Sequence, residues 1–330
     1  MRTDKRTKER KKHNTSQLLN FAKDSYLDRT SRPIYAIIFL LPFIIFYEVG
    51  TILINTDMLN QSQVRVVAFV WLQNLLEYMG SSDKLAWVAP PVAVVVILAA
   101  LQLSSRKPWG FSLNDLWPMG VECILLAVPL IVLSLFLNSP TGPQDDMGQF
   151  GNSAAKVLPA SYVKYDSKLE IHNMQYNRAV LSCASITGHS LLSATAEAGG
   201  NEVKSESLLA SIVTGIGAGI YEELVFRLIL ICLLMLLFQD VLRFSHKNSI
   251  ILSVLVSAGL FSAHHHIVFV NGQLALSAAF NWTEFGFRTI AGVYFAVLFA
   301  IRGFGITAGT HAFYDIIATI INAAFFSTTN

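Results

Sequence analysis

Long apolar segments constrain this chain more than any other feature of its sequence. Runs of roughly 20 apolar residues, the length a helix needs to cross a bilayer, lie near residues 33–54, 85–103, 115–138, 207–238, 249–270, 285–301 and 304–325. The chain is 53% hydrophobic and 14% charged, which is too apolar for an ordinary soluble domain. Backbone polar groups find no water in lipid, so such segments must be helical. The sequence therefore predicts an all-α, polytopic membrane helical bundle with about seven transmembrane helices.

The positions of Lys and Arg predict the orientation of this bundle. Residues 1–32 form a basic arm, which we expect to be cytoplasmic. With seven spans, the loop cations fall on the same side, as the positive-inside rule requires: Arg106, Lys107, Arg243, Lys247 and Arg302. Polar residues interrupt the run from Val64 to Met79, so we assign a segment near 64–80 to the membrane interface. We expect a multi-pass protein of the cell membrane with a cytoplasmic N-terminus.

The same reasoning divides the chain into four regions. The basic arm covers 1–32, N-terminal transmembrane helices cover 33–138, a polar extracytoplasmic loop covers 139–206, and a C-terminal transmembrane core covers 207–325. The arm is expected to be solvated, and no folded basic face indicates nucleic-acid binding. Cys123, Cys183 and Cys232 lack metal-ligand spacing and predict no disulfide framework.

Glycines cluster beside the polar residues of the C-terminal core. Gly215, Gly217 and Gly219 predict either close helix packing or a helix break. Gly305 and Gly309 have the small-xxx-small spacing that lets neighbouring backbones approach.

Ionisable side chains recur where the core is otherwise apolar. Their clusters are Glu222, Glu223 and Arg227, then the histidines His264, His265 and His266 after Phe261, then His311 with Asp315. Charges at membrane depth are costly, so residues of this kind are functional candidates by default. Glu48 and Glu122 also lie within apolar runs, and we interpret them, with Glu284 and Arg288, as interfacial or helix-pairing residues.

Helical spacing predicts which side chains of each cluster lie on the same helix face. Glu223 and Arg227 are four residues apart and can pair on one face, while Glu222 points about 100° away and can face a polar cavity. Glu222 is therefore the better catalytic candidate. His311 and Asp315 share a face by the same spacing, but helix geometry alone does not choose among the three consecutive histidines.

Together these clusters resemble a known family. The order Glu-Glu-x-x-x-Arg, Phe-x-x-x-His and His-x-x-x-Asp/Asn on successive transmembrane helices is similar to the CPBP family of intramembrane proteases, which includes CAAX prenyl proteases and bacteriocin-processing enzymes and is also called the Abi family. The resemblance covers about residues 206–325. It implies that region 207–325 is a CPBP-like catalytic core that cleaves a peptide or protein substrate within the lipid bilayer.

The resemblance also implies a role for each residue. Glu222 and His265 would activate the attacking water, and His311 and Asp315 would stabilise the oxyanion. Glu223, Arg227 and Phe261 would support them structurally. His264 and His266 are interpreted as hydrogen-bonding partners between helices.

One position departs from the family pattern. Many relatives have Asn where this chain has Asp315, and an ionised Asp315 cannot donate a hydrogen bond to an oxyanion. Asp315 would therefore orient His311, stay protonated or bind a metal. Two histidines with carboxylates also suit zinc, so Glu222, His265, His311 and Asp315 are a candidate Zn²⁺ site, and both a metal-dependent and a metal-free mechanism stay open.

Two other functions compete with the protease. Chains of Glu, His and Asp within a membrane also form the relays of proton- or cation-coupled transporters. The third hypothesis is a non-catalytic membrane scaffold or immunity protein that keeps the fold of a protease.

Overall fold

The computed structural model describes residues 21–56, 62–80, 88–137, 162–166, 202–270, 273–276 and 281–326. Each predicted span contains a helix within these residues. The helices are α2 (Pro33–Thr56), α4 (Ala89–Ser105), α5 (Leu116–Leu137), α6 (Glu202–Glu223) with its continuation, α8 (His246–His264), α9 (Trp282–Arg302) and α10 (Phe304–Ile321). Within the described part of the chain, five segments are long and apolar enough to cross a membrane, and α4 is a shorter apolar helix. The expected all-α membrane bundle is confirmed.

Shorter elements complete the described part of the chain. Helix α1 covers Tyr26–Thr30, α3 covers Val67–Tyr78, and a 3-10 turn, Leu113–Asp115, precedes α5. Strand β1 (Ser62–Val66) pairs antiparallel with β2 (Tyr162–Asp166), and β3 (Ile267–Val270) pairs antiparallel with β4 (Gln273–Leu276). The first twenty residues of the basic arm, most of the 139–206 loop and Cys183 lie outside the described residues.

Two predicted spans differ in detail from the helices observed. The long span near 207–238 is one continuous helix in which α6 passes into a π-helix (Leu224–Leu230), α7 (Ile231–Met235) and a second π-helix (Leu236–Val241). The glycines therefore cause no break before Glu222. The span expected to reach residue 270 ends at His264, because His265 and His266 form a turn that leads into β3.

Small residues make α10 the centre of the bundle. Helices α2, α5, α6 and α9 all pack against it. A Cβ atom added at Gly305 would lie 2.8 Å from Cα of Ala36 on α2, and one added at Gly309 would lie 2.8 Å from Sγ of Cys123 on α5. Real Cβ atoms do not approach so closely, so the glycines set the helix separations. Most of α10 is buried as a result.

The glycines of α6 bring it equally close to α10. A Cβ atom at Gly215 would lie 2.7 Å from Cβ of Asp315, and one at Gly219 would overlap the backbone of Ala312. Close helix packing is therefore the correct interpretation of these glycines. It places the end of α6, with Glu222 and Glu223, directly beside His311.

A polar network at one end of the bundle ties α1 to the core. Arg302, at the end of α9, pairs with Glu122 of α5 at 2.5 Å and donates to Oγ1 of Thr30 at 2.9 Å. Tyr26 of α1 donates its hydroxyl proton to Glu122 at 2.8 Å. Glu122 is thus a helix-pairing residue whose charge is compensated by a cation that is distant in sequence.

Removing one hydrogen bond tests this network. We expect Tyr26→Phe to lower the free energy of unfolding by about 1–2 kcal/mol, since a hydrogen bond to a charged, partly buried acceptor is lost. Thermal unfolding in detergent measures the change. Tyr78→Phe is the matched control because Tyr78 is 91% exposed and should have no effect. Equal stability of the two variants would contradict this account of Glu122.

Candidate active site

Glu222 and Glu223 are the last two residues of α6, at the point where the π-helix begins. Both side chains are completely buried. Because successive helical residues are rotated by about 100°, they face different neighbours: Glu222 faces the end of α8, and Glu223 faces α10. Single-turn π segments are frequent at functional sites in helices, and here one lies directly after the two carboxylates.

Glu223 is compensated by the cation expected from the sequence. Arg227 Nε lies 3.0 Å from Glu223 Oε2, and both side chains are fully buried. The Arg227 guanidinium also lies 4.1 Å from the ring centre of Phe261 and donates to the carbonyl of Gly292 at 3.4 Å. Phe261 therefore covers the face of the arginine, which gives the aromatic residue of the Phe-x-x-x-His pattern a physical role.

His311 joins the same network from α10. Its Nδ1 lies 2.8 Å from Glu223 Oε1, and its Nε2 lies 3.5 Å from Asp315 Oδ2. Phe295 of α9 stacks on its ring with a centroid separation of 4.6 Å and an interplanar angle of 15°. The ring is therefore held between two carboxylates and flat against an aromatic side chain.

Glu222 forms a second cluster with two histidines from the end of α8. His264 Nε2 lies 3.7 Å from Glu222 Oε1, and ligand atoms of Glu222, His264 and His265 all lie within 4.8 Å of one another. Nδ1 of His264 and Nδ1 of His265 both face the carbonyl oxygen of Phe261. The ring of His266 lies instead 6.1 Å from the ring of Phe285.

Comparison with known protein families places these clusters in one domain. Residues 204–317 match the family described as type II CAAX prenyl endopeptidase Rce1-like. Residues 204–317 form an Rce1-like domain. The match includes Glu222, His265, His311 and Asp315, and it confirms the resemblance to the CPBP family of CAAX proteases. Searches of curated proteins and of solved structures found no match.

The site residues predicted from the sequence lie in two clusters of the Rce1-like domain. Glu222 and His265 belong to the first, and His311, Asp315, Glu223 and Arg227 belong to the second. Phe261 connects them, because its carbonyl faces His265 and its ring covers Arg227.

Three aromatic or histidine contacts in this site were missed from the sequence. His264 was expected to be a hydrogen-bonding partner between helices, and its position beside Glu222 of α6 was not predicted. Phe295 stacks on His311, and its only signal in the sequence is that it belongs to an apolar span. Trp71 on α3 lies outside the Rce1-like match, yet its ring centre is 5.7 Å from that of His264.

The N-terminal helices also contact the glutamate-bearing end of α6. Tyr221 donates its hydroxyl proton to Glu48 of α2 at 3.1 Å and packs edge-on against Phe69 of α3. Glu48 is therefore a helix-pairing residue, and it holds the residue directly before Glu222. The segments before the Rce1-like domain thus help to position its catalytic candidates.

The first cluster offers the kinds of donor atom that bind zinc, a carboxylate oxygen and imidazole nitrogens. One carboxylate and two imidazoles leave an open position for water in catalytic zinc sites. Among the residues that the structure describes, Glu222, His264 and His265 are the group whose ligand atoms converge, and both oxygens of Glu222 and Nε2 of His264 are buried without a hydrogen-bond partner. Neither His311 nor Asp315 belongs to this group, so the set differs from the one predicted.

Proposed function

We propose that this chain is an intramembrane endopeptidase of the CAAX-protease type, in which Glu222 activates the water that attacks a peptide bond. The Rce1-like domain supports a membrane peptidase at the level of the family. The observation that carries the residue assignment is a fully buried carboxylate that has no hydrogen-bond partner among the described residues and faces two histidines. Burying an uncompensated carboxylate is costly, so its retention points to chemistry.

In this proposal Glu222 acts first as a general base. It takes a proton from water while the oxygen attacks the carbonyl carbon of the scissile bond. The carbon–nitrogen bond of the tetrahedral intermediate then breaks, and Glu222 returns the proton to the leaving amine. A histidine of the same cluster shares the proton during the cycle. His265 is the residue that the family pattern selects for this role.

His311 would stabilise the oxyanion, with Asp315 acting through it. Glu223 accepts a hydrogen bond from His311 Nδ1, so Nε2 becomes a donor when the ring is protonated. Glu223 on one side and Asp315 on the other stabilise that positive charge. Asp315 then needs no proton of its own to serve the reaction, which accounts for an aspartate at the position where many relatives have Asn.

Glu222, His264 and His265 would hold a zinc ion. Bound zinc lowers the pKa of its water and polarises a carbonyl group. The same residues bind and orient the attacking water in the absence of an ion, so both mechanisms use the same carboxylate. The zinc content of purified protein separates them: one equivalent per chain that is lost in Glu222→Gln assigns water activation to the metal, and zinc-free active protein assigns it to Glu222.

The substrate would be a peptide or protein segment in the membrane. The protein would lie in the cell membrane, and its basic arm would place the N-terminus in the cytoplasm. The side chains of Glu222 and Glu223 are buried at the end of α6. With a cytoplasmic N-terminus, the substrate would enter from the cytoplasmic side or laterally from the bilayer.

Cleavage of a membrane-peptide library tests the proposal. We expect wild-type protein in detergent or liposomes to cleave some members, and Glu222→Gln to lower kcat by about 1,000-fold or more, because the general base is lost while shape is kept. Glu284→Gln is the control, since Glu284 pairs with Arg288 at 3.2 Å on α9 and should retain activity.

Two results would contradict the proposal. Undiminished cleavage by Glu222→Gln would show that the base lies elsewhere. If wild-type protein cleaves no member but substrate drives proton flux into liposomes, the chain is a transporter.

A further inference from the structure

We propose that Trp71 forms the wall of a substrate subsite and binds a large apolar side chain next to the scissile bond. This inference rests on the proposed function and names a residue that determines which peptides are cleaved. Trp71 belongs to α3, which comes before the Rce1-like match at residues 204–317. The N-terminal helices thus contribute to specificity as well as to the position of the glutamates.

Trp71 is the outermost member of an aromatic group that lies against the first cluster. Its ring centre is 5.7 Å from that of His264 and 6.3 Å from that of Phe226. His264 is 6% exposed and Phe226 is 3% exposed, whereas Trp71 is 38% exposed. Among the described residues, the indole therefore contacts the buried cluster with one part of its surface and leaves another part open.

The position of this ring suits a contact with a bound peptide. His264 Nε2 lies 3.7 Å from Glu222 Oε1, so Trp71 is separated from the proposed base by one imidazole ring. Neighbouring residues of a peptide are about 3.8 Å apart between Cα atoms. A peptide whose scissile bond lies at Glu222 therefore brings a flanking side chain within reach of the open indole surface.

Packing of α3 on α6 fixes Trp71 relative to Glu222. Phe69, two residues before Trp71, is fully buried and packs edge-on against Tyr221 with ring centres 4.9 Å apart. Leu72, the residue after Trp71, is also buried. Tyr221 directly precedes Glu222, so the two helices are joined at the catalytic candidate. A side chain held on such a rigid element can select among substrates, because it does not move away from a poor fit.

The chemistry of the open surface favours an apolar substrate side chain. An indole ring gains free energy when it buries its surface against aliphatic groups or packs against another aromatic ring. Leu75, one helical turn after Trp71 and on the same face of α3, is 52% exposed and extends the apolar surface. A leucine or phenylalanine of the substrate can cover the ring, whereas an alanine is too short to do so.

A peptide series tests the subsite. One library member that wild-type protein cleaves is changed to Leu, Phe or Ala on each side of the scissile bond in turn, and kcat/KM is measured. At one of the two positions we expect wild type to prefer Leu or Phe over Ala by about tenfold or more, and Trp71→Ala to reduce this preference to about twofold or less. Trp71→Phe keeps an aromatic ring and should retain most of the preference.

The ratio between peptides separates specificity from structural support. If Trp71 only holds the ring of His264 in place, Trp71→Ala lowers kcat on every peptide by the same factor and leaves the preference unchanged. Trp117→Ala is the matched control, because Trp117 of α5 is 79% exposed, and it should leave both the rates and the preference as in wild type. If Trp71→Ala does not fold, Trp71→Gln keeps a long side chain without the apolar ring and gives the same comparison.

The outcomes distinguish this inference from the proposed function. Cleavage by wild type with no preference at either position, or a preference that Trp71→Ala retains, would show that the inference is wrong while the protease assignment stands. If wild-type protein cleaves no peptide, the proposed function and the inference fail together.

Discussion

Replacing Arg227 with alanine is expected to lower the free energy of unfolding by about 3–5 kcal/mol, because it leaves a buried carboxylate without its cation. Arg227 and Glu223 are both fully buried and lie 3.0 Å apart. The substitution also removes the charge that lies over the ring of Phe261 and the hydrogen bond to Gly292. His311 would then be the remaining charge partner of Glu223, so the second cluster would lose its geometry. We expect no detectable cleavage by this variant.

Thermal unfolding in detergent and size-exclusion chromatography measure this loss. The matched control is Arg288→Ala, which breaks another Glu–Arg pair of the same i,i+4 spacing. The side chain of Arg288 is 12% exposed and that of its partner Glu284 is 21% exposed. Pairs that keep access to solvent contribute about 1 kcal/mol or less, so the control should remain folded. A melting temperature of Arg227→Ala within the range of the control would refute the assignment of this pair as essential to the fold.

Gly219→Ala is expected to cost about 3 kcal/mol and to abolish cleavage, because its new methyl group would collide with the backbone of α10. The added Cβ would lie 2.7 Å from Cα of Ala312 and 2.8 Å from its Cβ. Backbone atoms cannot rotate away as a flexible side chain can, so the two helices must move apart. His311 is the neighbour of Ala312, and its contact with Glu223 depends on that helix separation.

A second glycine provides a direct control for this substitution. A Cβ atom at Gly259 of α8 would have no heavy atom within 4 Å. Gly259→Ala should therefore keep its activity and gain about 0.5–1 kcal/mol, since alanine is the better helix former. The melting temperatures of the two variants should change in opposite directions, and only Gly219→Ala should lose cleavage. Parallel behaviour would mean that α6 and α10 do not pack as closely as their glycines indicate.

The two glutamates at the end of α6 illustrate how one local pattern serves two purposes. Glu223 compensates Arg227 and holds His311, so it links α6 to α10. Glu222 faces α8, and within the described part of the chain neither of its carboxylate oxygens has a hydrogen-bond partner. A stabilising carboxylate and a proposed catalytic carboxylate are therefore adjacent in sequence and distinct in environment.

Contacts within one helix were predictable because helical geometry is fixed. The spacing of Glu223 and Arg227 predicted their pairing, and His311 and Asp315 were expected on one face for the same reason. The spacing of Gly305 and Gly309 also predicted close packing, because only glycine permits helix backbones to approach so far.

Contacts between helices required the tertiary structure. The hydrogen bond between Glu223 and His311 depends on the rotation and depth of two helices that the hydropathy of the chain does not specify. Glu122 and Arg302 are separated by 180 positions, and only the folded bundle shows that they compensate each other. Phe295 is one of many apolar residues in its span until its stacking on His311 is known.

By itself, the sequence determined that this chain is a membrane helical bundle and that its C-terminal part contains the ordered polar clusters of a CAAX-type protease. Only the tertiary structure showed that both His264 and His265 approach Glu222, because α8 ends at His264 and the chain turns there. Hydropathy and helical spacing are local quantities, and they determine which side chains share a helix face. The rotation of each helix, and the residue at which it ends, result from packing against the other helices of the bundle.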